Sequence, residues 1–288
     1  VGGPAGGSRS QLVVGNAIRV ACETLIEAMK KPGGGFYTYD EMKAEGREVR
    51  QYGKWTTPCT SPDENGQGEP FCCYMYGLFM AEVAVDITTG KTAVEKLTMI
   101  ADIGKVNNRL VTDGQLYGGL AQGIGLALTE DYEDIKKHST LIGAGLPYIK
   151  DVPDDIELIY LENSRKDGPF GASGVGELPL TAPHAAIINA IYQACGARVR
   201  HLPARPEKVL AALKIQELAS SGMPFKKVVR EVEQFIYQMQ TLFVLESLDN
   251  LRKNGRLTKL QAVVTSALKI KLLCGATPEG EICKLGQA

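Results

Sequence analysis

No apolar run in this 288-residue chain approaches the roughly 18–20 residues that a bilayer-spanning helix needs, so no membrane association is expected. Net charge is nearly absent as well: 32 Lys and Arg against 33 Asp and Glu leave −1. That balance gives no electrostatic ground for a nucleic-acid partner or an anionic lipid surface. The three histidines, at 138, 184 and 201, have no ligand spacing, and no Ser–His–Asp arrangement can be argued from their order. Cys22, Cys59, Cys72, Cys73, Cys195, Cys274 and Cys283 include no C-x-x-C and no C-x4-C-x2-C, so this chain carries no iron–sulfur or zinc motif. Cys72 and Cys73 are adjacent within an apolar, aromatic run, and read as buried free thiols. That points to a reducing, cytoplasmic compartment, with the periplasm as the alternative. The chain opens with Val1 in a glycine-rich segment rather than with Met, so any leader lies outside what it shows.

What is present is ordinary for a globular protein: 44% apolar and 23% charged residues, in a length that suits one large or two modest domains. Gly2–Ser10 is a glycine–serine loop leading into Gln11–Lys30, whose Leu12, Val13, Ala17, Ile18, Ala21, Leu25 and Ala28 recur at helical spacing until Pro32-Gly-Gly-Gly35. Residues 36–70 are polar and rich in Gly and Pro, and read as surface loops or short strands. Phe71–Asp86 and Thr92–Asp102 predict a hairpin around Thr88-Thr-Gly-Lys91. Asn107–Glu130 has helical spacing but holds Gly114, Gly118, Gly119, Gly123 and Gly125, a composition that favours close approach of a backbone or a ligand. Asp155–Leu161 predicts a strand, and Leu180–Cys195 and Pro206–Lys214 predict helices. After Lys214 the composition changes. Met223–Leu251 and Leu257–Leu273, separated by Asn254-Gly255, predict an αα-hairpin with Lys- and Glu-rich faces. Cys274 and Cys283 are near enough in sequence to pair, which a cytosolic setting opposes.

Three stretches stand out chemically. In Gly171-Ala-Ser-Gly-Val-Gly-Glu-Leu-Pro-Leu180 a single carboxylate, Glu177, follows Gly171, Gly174 and Gly176, with Pro179 placed to open the next helix. Held on a glycine-packed turn, that carboxylate should be poorly solvated, which makes a carboxylate a usable base. The plain alternative is a first-turn Glu that complements a helix dipole. In Ala5-Gly-Gly-Ser-Arg-Ser-Gln11, glycines and hydroxyls at a helix N-terminus suit phosphate or pterin oxygens, or else Ser8 or Ser10 is a simple cap. Gln115 in Asp113-Gly-Gln-Leu-Tyr-Gly-Gly119 can donate to and accept from a heterocycle edge, or be a solvated helix glutamine. His184 follows Glu177 closely enough to line a cavity, although a packed or surface histidine is the plainer reading.

Gly174-Val-Gly-Glu177, Ala5–Gln11 and Gly114–Leu128 together resemble the C-terminal half of the molybdopterin domain of the molybdenum hydroxylases, the xanthine oxidase and aldehyde oxidoreductase family. The likeness is greatest to the bacterial aldehyde oxidoreductases and runs from residue 1 to about Lys214. It implies an α+β fold of mixed sheets with packed helices over 1–214, followed by a helical extension, 215–288, with no counterpart in the family. It implies a molybdopterin cytosine dinucleotide carrying molybdenum, contacted by Gly6, Gly7, Ser8, Arg9, Ser10, Gln11 and Gln115, with Gly6 and Gly7 nearest the metal. The metal is then held by the pterin dithiolene and takes no ligand from this chain. Glu177 becomes the base that deprotonates a molybdenum-bound hydroxyl, whose oxygen attacks a small aldehyde while hydride passes to the metal's ligand. Full members carry two iron–sulfur domains and the other half of the molybdopterin domain ahead of this region. The chain therefore reads as a fragment or subunit that needs a second polypeptide for activity, with a homodimer as the assembled form. The alternative is a non-catalytic scaffold or interaction protein that keeps the fold without cofactor.

Overall fold

A computed structural model describes residues 5–240, 242–245, 271–276 and 282–287. The chain is α+β and divides into two compact units, Val1–Gln216 and Glu217–Ala288.

In the first unit the opening helix α1 spans Ser10–Met29. The polar stretch after it contains an unexpected short helix, α2 (Tyr39–Ala44), set by a capping box: Glu41 N–H donates to Thr38 Oγ1 at 3.3 Å and Thr38 N–H to Glu41 Oε2 at 2.7 Å. Strands β1 (Tyr76–Val85) and β2 (Thr92–Asp102) form the antiparallel hairpin. Its turn is held by Asp86 Oδ1, which accepts from Thr88 N–H at 2.8 Å and Thr89 N–H at 3.3 Å. Helix α3 (Arg109–Leu128) then crosses over to β3 (Asp155–Tyr160), which lies parallel to β2 in the order β1-β2-β3, because parallel neighbours need such a crossover. Helices α4 (Pro183–Cys195) and α5 (Pro206–Ser220) follow.

The core forms around the central strand. Leu97, Met99 and Ala101 alternate on one face of β2 and share a buried cluster with Leu116, Leu120 and Ile124 of α3 and Ile187 and Ile191 of α4. The glycines of α3 have two different explanations. A Cβ on Gly119 would overlap the ring of Pro179 and one on Gly123 the ring of Pro183, so these two permit close packing. Gly114 and Gly118 face open space.

Boundaries differ from the sequence reading at α5, which runs on to Ser220 rather than ending at Lys214, and at the start of α4. The helix begins at Pro183, not Leu180, and Pro179 sits in a separate 3-10 turn, Leu178–Leu180. The residue before a proline is pushed out of the helical region, and Ala182, at φ −143° and ψ 6°, lies outside it.

The second unit corrects the αα-hairpin. Helix α6 covers only Phe225–Gln238, with Val228 and Val232 packed against Leu218 and Met223. Instead of continuing to Leu251, the chain turns into β4 (Leu242–Leu245), which pairs antiparallel with β5 (Leu272–Ala276), itself paired with β6 (Ile282–Gln287). A short apolar run such as Leu242-Phe-Val-Leu245 fits a buried strand as well as a helix, and periodicity alone cannot separate the two. Leu272 and Leu273, expected at the end of a second helix, belong to β5; residues 257–270 and Asn254-Gly255 lie outside the described residues. Cys274 and Cys283, on neighbouring strands, are free thiols.

Candidate active site

The loop ahead of α1 makes an abrupt turn. Gly7 (φ 60°) and Ser8 (φ 57°) are both left-handed, a conformation that glycine adopts freely but that costs a serine on the order of 1–3 kcal/mol. The N-cap of α1 is Arg9, with no side chain capping it, so neither Ser8 nor Ser10 is the plain cap of the simpler reading. The Cβ positions of Gly6 and Gly7 meet nothing within 4 Å, which leaves bare backbone beside the positive end of a helix.

Opposite stands the glutamate loop, anchored on the end of β2. Ser173 is buried and donates through both N–H (2.9 Å) and Oγ (2.7 Å) to the carbonyl of Ile103. Below it, Arg165 Nη2 lies 3.0 Å from Asp102 Oδ1, with only 15% and 12% of the side chains exposed. Burial pushes the Asp102 carboxyl up, but donors from Asn163 and the Gly104 N–H together with Arg165 outweigh it and hold it below the ordinary carboxylate range. The two loops meet at Gly174, where a Cβ would overlap the Ser8 carbonyl oxygen. Ser8 Oγ then donates to Glu177 Oε2 at 3.1 Å and accepts from Glu177 N–H at 2.9 Å, joining residues 169 apart in sequence. Gln115 Nε2 donates to the carbonyl of Gly176 at 2.7 Å.

These residues surround a cavity of ~480 Å3. Of the positions singled out in the sequence, Gly6, Ser8, Ser10, Gln11, Gln115 and Glu177 line it. Gly7 and Arg9 do not; with Gly6 and Ser8 they line a second cavity of ~510 Å3 that also takes in Trp55, Cys59, Cys72 and Cys73. His184 lines neither. Glu177 is exposed in this chain, which corrects the expectation of a poorly solvated carboxylate: the turn presents it at an open cavity mouth. Sequence reasoning missed Lys105, Asn107 and Asn108, which add a cation and two amides to the first cavity. Their one local signal was position, on the turn leaving β2. Among the described residues no three His, Cys, Asp or Glu side chains group as a metal site requires.

The cavity therefore combines bare glycine backbone, an uncapped helix N-terminus, a lysine, amides and one carboxylate. That set suits a large, anionic, hydrogen-bonding group. A family model for a molybdopterin cofactor-binding domain matches residues 1–153, and the chain belongs to that family. The aldehyde oxidoreductase of Megalodesulfovibrio gigas is 62% identical over 216 residues, 74% of this chain and 24% of the relative. A crystal structure of the aldehyde oxidoreductase from Desulfovibrio desulfuricans superposes with a TM-score of 0.71 at 74% identity, covering 73% of this chain and 23% of that one. The chain thus spans about a quarter of the length of these relatives.

A second model, for an uncharacterised protein of the DegV family, matches residues 206–288. A solved DegV-family structure from Ruminococcus gnavus is 38% identical over 38% of this chain and 40% of its own, with a TM-score of 0.22. The sequence reading had found no counterpart for this segment within the first family. Among the described residues no helix is long and apolar enough to cross a membrane.

Proposed function

We propose that residues 1–214 are the C-terminal half of the molybdopterin-binding domain of a molybdenum-dependent aldehyde oxidoreductase, with 215–288 a separate extension. The observation that carries this reading is the meeting of Glu177 with the Gly6–Gln11 loop across one cavity, through Ser8. Two features fit the cofactor. The Cβ positions of Gly6 and Gly7 are open, so a flat group can lie against backbone; and Lys105 with the α1 N-terminus supplies positive potential for a dinucleotide's phosphates. Gly6, Gly7, Arg9, Ser10, Gln11 and Gln115 would hold it, with Ser8 taking part through its backbone alone, as a molybdopterin cytosine dinucleotide. Once bound, that group supplies the oxygen that is transferred and the acceptor for the electron pair.

The chain's own contribution is proton movement and orientation. Glu177 takes the proton from the hydroxyl that attacks the aldehyde carbon, and Gln115 and Ser8 fix the turn from which it does so. General-base help of this kind is worth about 10²–10⁴ in rate. Segments outside these 288 residues, in the same or a second polypeptide, supply the iron–sulfur clusters, the rest of the substrate funnel and the covering that removes Glu177 from water. The assembly works in the cytoplasm as a homodimer. The test is Glu177→Gln in the assembled enzyme: molybdenum and pterin content are retained while aldehyde turnover falls at least about 10²-fold. Comparable turnover would remove Glu177 from the base role. Absence of stoichiometric molybdenum and pterin from the wild-type assembly would favour a scaffold.

A further inference from the structure

We propose that Ser8 is a positioning residue for Glu177, holding both its backbone and its carboxylate in one orientation at the cavity mouth; the catalytic meaning of this hold rests on Glu177 being the base. The family resemblance places Ser8 against the cofactor, but its hydroxyl is committed elsewhere. Its single hydrogen goes to Glu177 Oε2 at 3.1 Å, and its oxygen accepts the Glu177 N–H at 2.9 Å. A hydroxyl has one proton to donate, so none remains for a cofactor oxygen.

The second half of the argument is the peptide group itself. The carbonyl of Gly176 and the N–H of Glu177 belong to one planar unit. Gln115 Nε2 holds the carbonyl end at 2.7 Å and Ser8 Oγ the N–H end at 2.9 Å. With that plane pinned from both sides, the direction in which Glu177 leaves the backbone is set before any ligand arrives. The left-handed backbone of Ser8 (φ 57°) accompanies this arrangement. Gly174, whose Cβ would overlap the Ser8 carbonyl, and Gly176, whose Cβ position is 3.3 Å from Ser8 Oγ, leave room for it. The Gly-x-Gly spacing before the glutamate is thus a seat for Ser8.

The test uses amide hydrogen exchange of the 288-residue chain without cofactor. Ser8→Gly accepts φ 57° without strain and removes only the hydroxyl and its methylene, so folding is not at stake. We expect the Glu177 amide to exchange about tenfold faster or more, the value of one lost hydrogen bond. The Ser173 amide, bonded to Ile103 at 2.9 Å, should not change. Ser8→Ala should expose the Glu177 amide equally, while Glu177→Gln, which retains both bonds, should leave the position 177 amide protected. An unaltered Glu177 amide in Ser8→Gly overturns the proposal. In the assembled enzyme, Ser8→Gly should lower kcat with molybdenum content retained; loss of molybdenum with position 177 still protected would make Ser8 a cofactor contact and overturn it too. Full turnover by Glu177→Gln, by contrast, would end the base role and leave the hold intact.

Discussion

Helix α3 offers a test of how the glutamate turn is supported. Gly118 and Gly119 are adjacent, equally helical, and opposite in surroundings: a Cβ on Gly118 meets nothing within 4 Å, whereas one on Gly119 would overlap Pro179, two residues beyond Glu177. Alanine in a helix interior is favoured over glycine by about 0.8–1.0 kcal/mol, so Gly118→Ala should stabilise the first unit by nearly that amount. At Gly119 the same gain is opposed by overpacking, typically about 1–3 kcal/mol. The upper value applies here, because Pro179 is fully buried and its ring has no rotamer to yield. The net is a loss of roughly 2 kcal/mol. For a unit of this size about 1 kcal/mol moves the melting temperature by roughly 2–4 °C. Gly118→Ala should therefore rise by roughly 2–4 °C and Gly119→Ala fall by about 4–8 °C. The single tryptophan, Trp55, lies in the first unit and reports its melting by fluorescence. Shifts of the same sign in both variants would refute the claim that the Gly119–Pro179 contact seats the turn.

Asp102→Asn leaves Arg165 unpaired in a mostly buried position and should cost about 3 kcal/mol, the low end for a buried pair because both side chains retain some exposure; an unchanged melt would refute it. Because Asp102 is held below its unfolded value of about 3.9, its stabilisation is complete above that pH and is lost as pH falls through the folded value. Acid titration of stability should accordingly be shallower below about pH 4 in the Asn variant, and parallel curves would dismiss the linkage. Burial pushes the Cys72 thiol up to about 12, with the neighbouring Cys59 adding to it. Iodoacetamide at pH 8 should therefore modify the exposed Cys22 well before Cys72 by peptide mass spectrometry, and equal rates would contradict the assignment.

Much of the site was legible because its parts are local. Gly-Val-Gly-Glu177 and Gly-Gly-Ser8-Arg-Ser-Gln11 carry their conformational demands in their own residues, and the hairpin at Thr88–Lys91 is a short-range turn. The capping box at Thr38–Glu41 was equally local and was overlooked inside a polar stretch. The start of α4 was misplaced because two prolines, 179 and 183, each suit a helix opening, and only the non-helical backbone of Ala182 between them separates the cases. The strands of the second unit were misread because β4 pairs with β5, which lies far along the chain, and nothing local distinguishes a short apolar strand from a helix turn there.

Residue order alone thus singled out one carboxylate, one glycine loop and one glutamine as the candidate site, since those choices depend on backbone freedom and side-chain type. Only the tertiary structure decided that Ser8 bonds Glu177, that Gly119 and Gly123 receive proline rings, and that Glu177 stands in solvent in this chain. Each of those outcomes depends on what a distant segment places within a few ångströms, and sequence spacing carries no such distance.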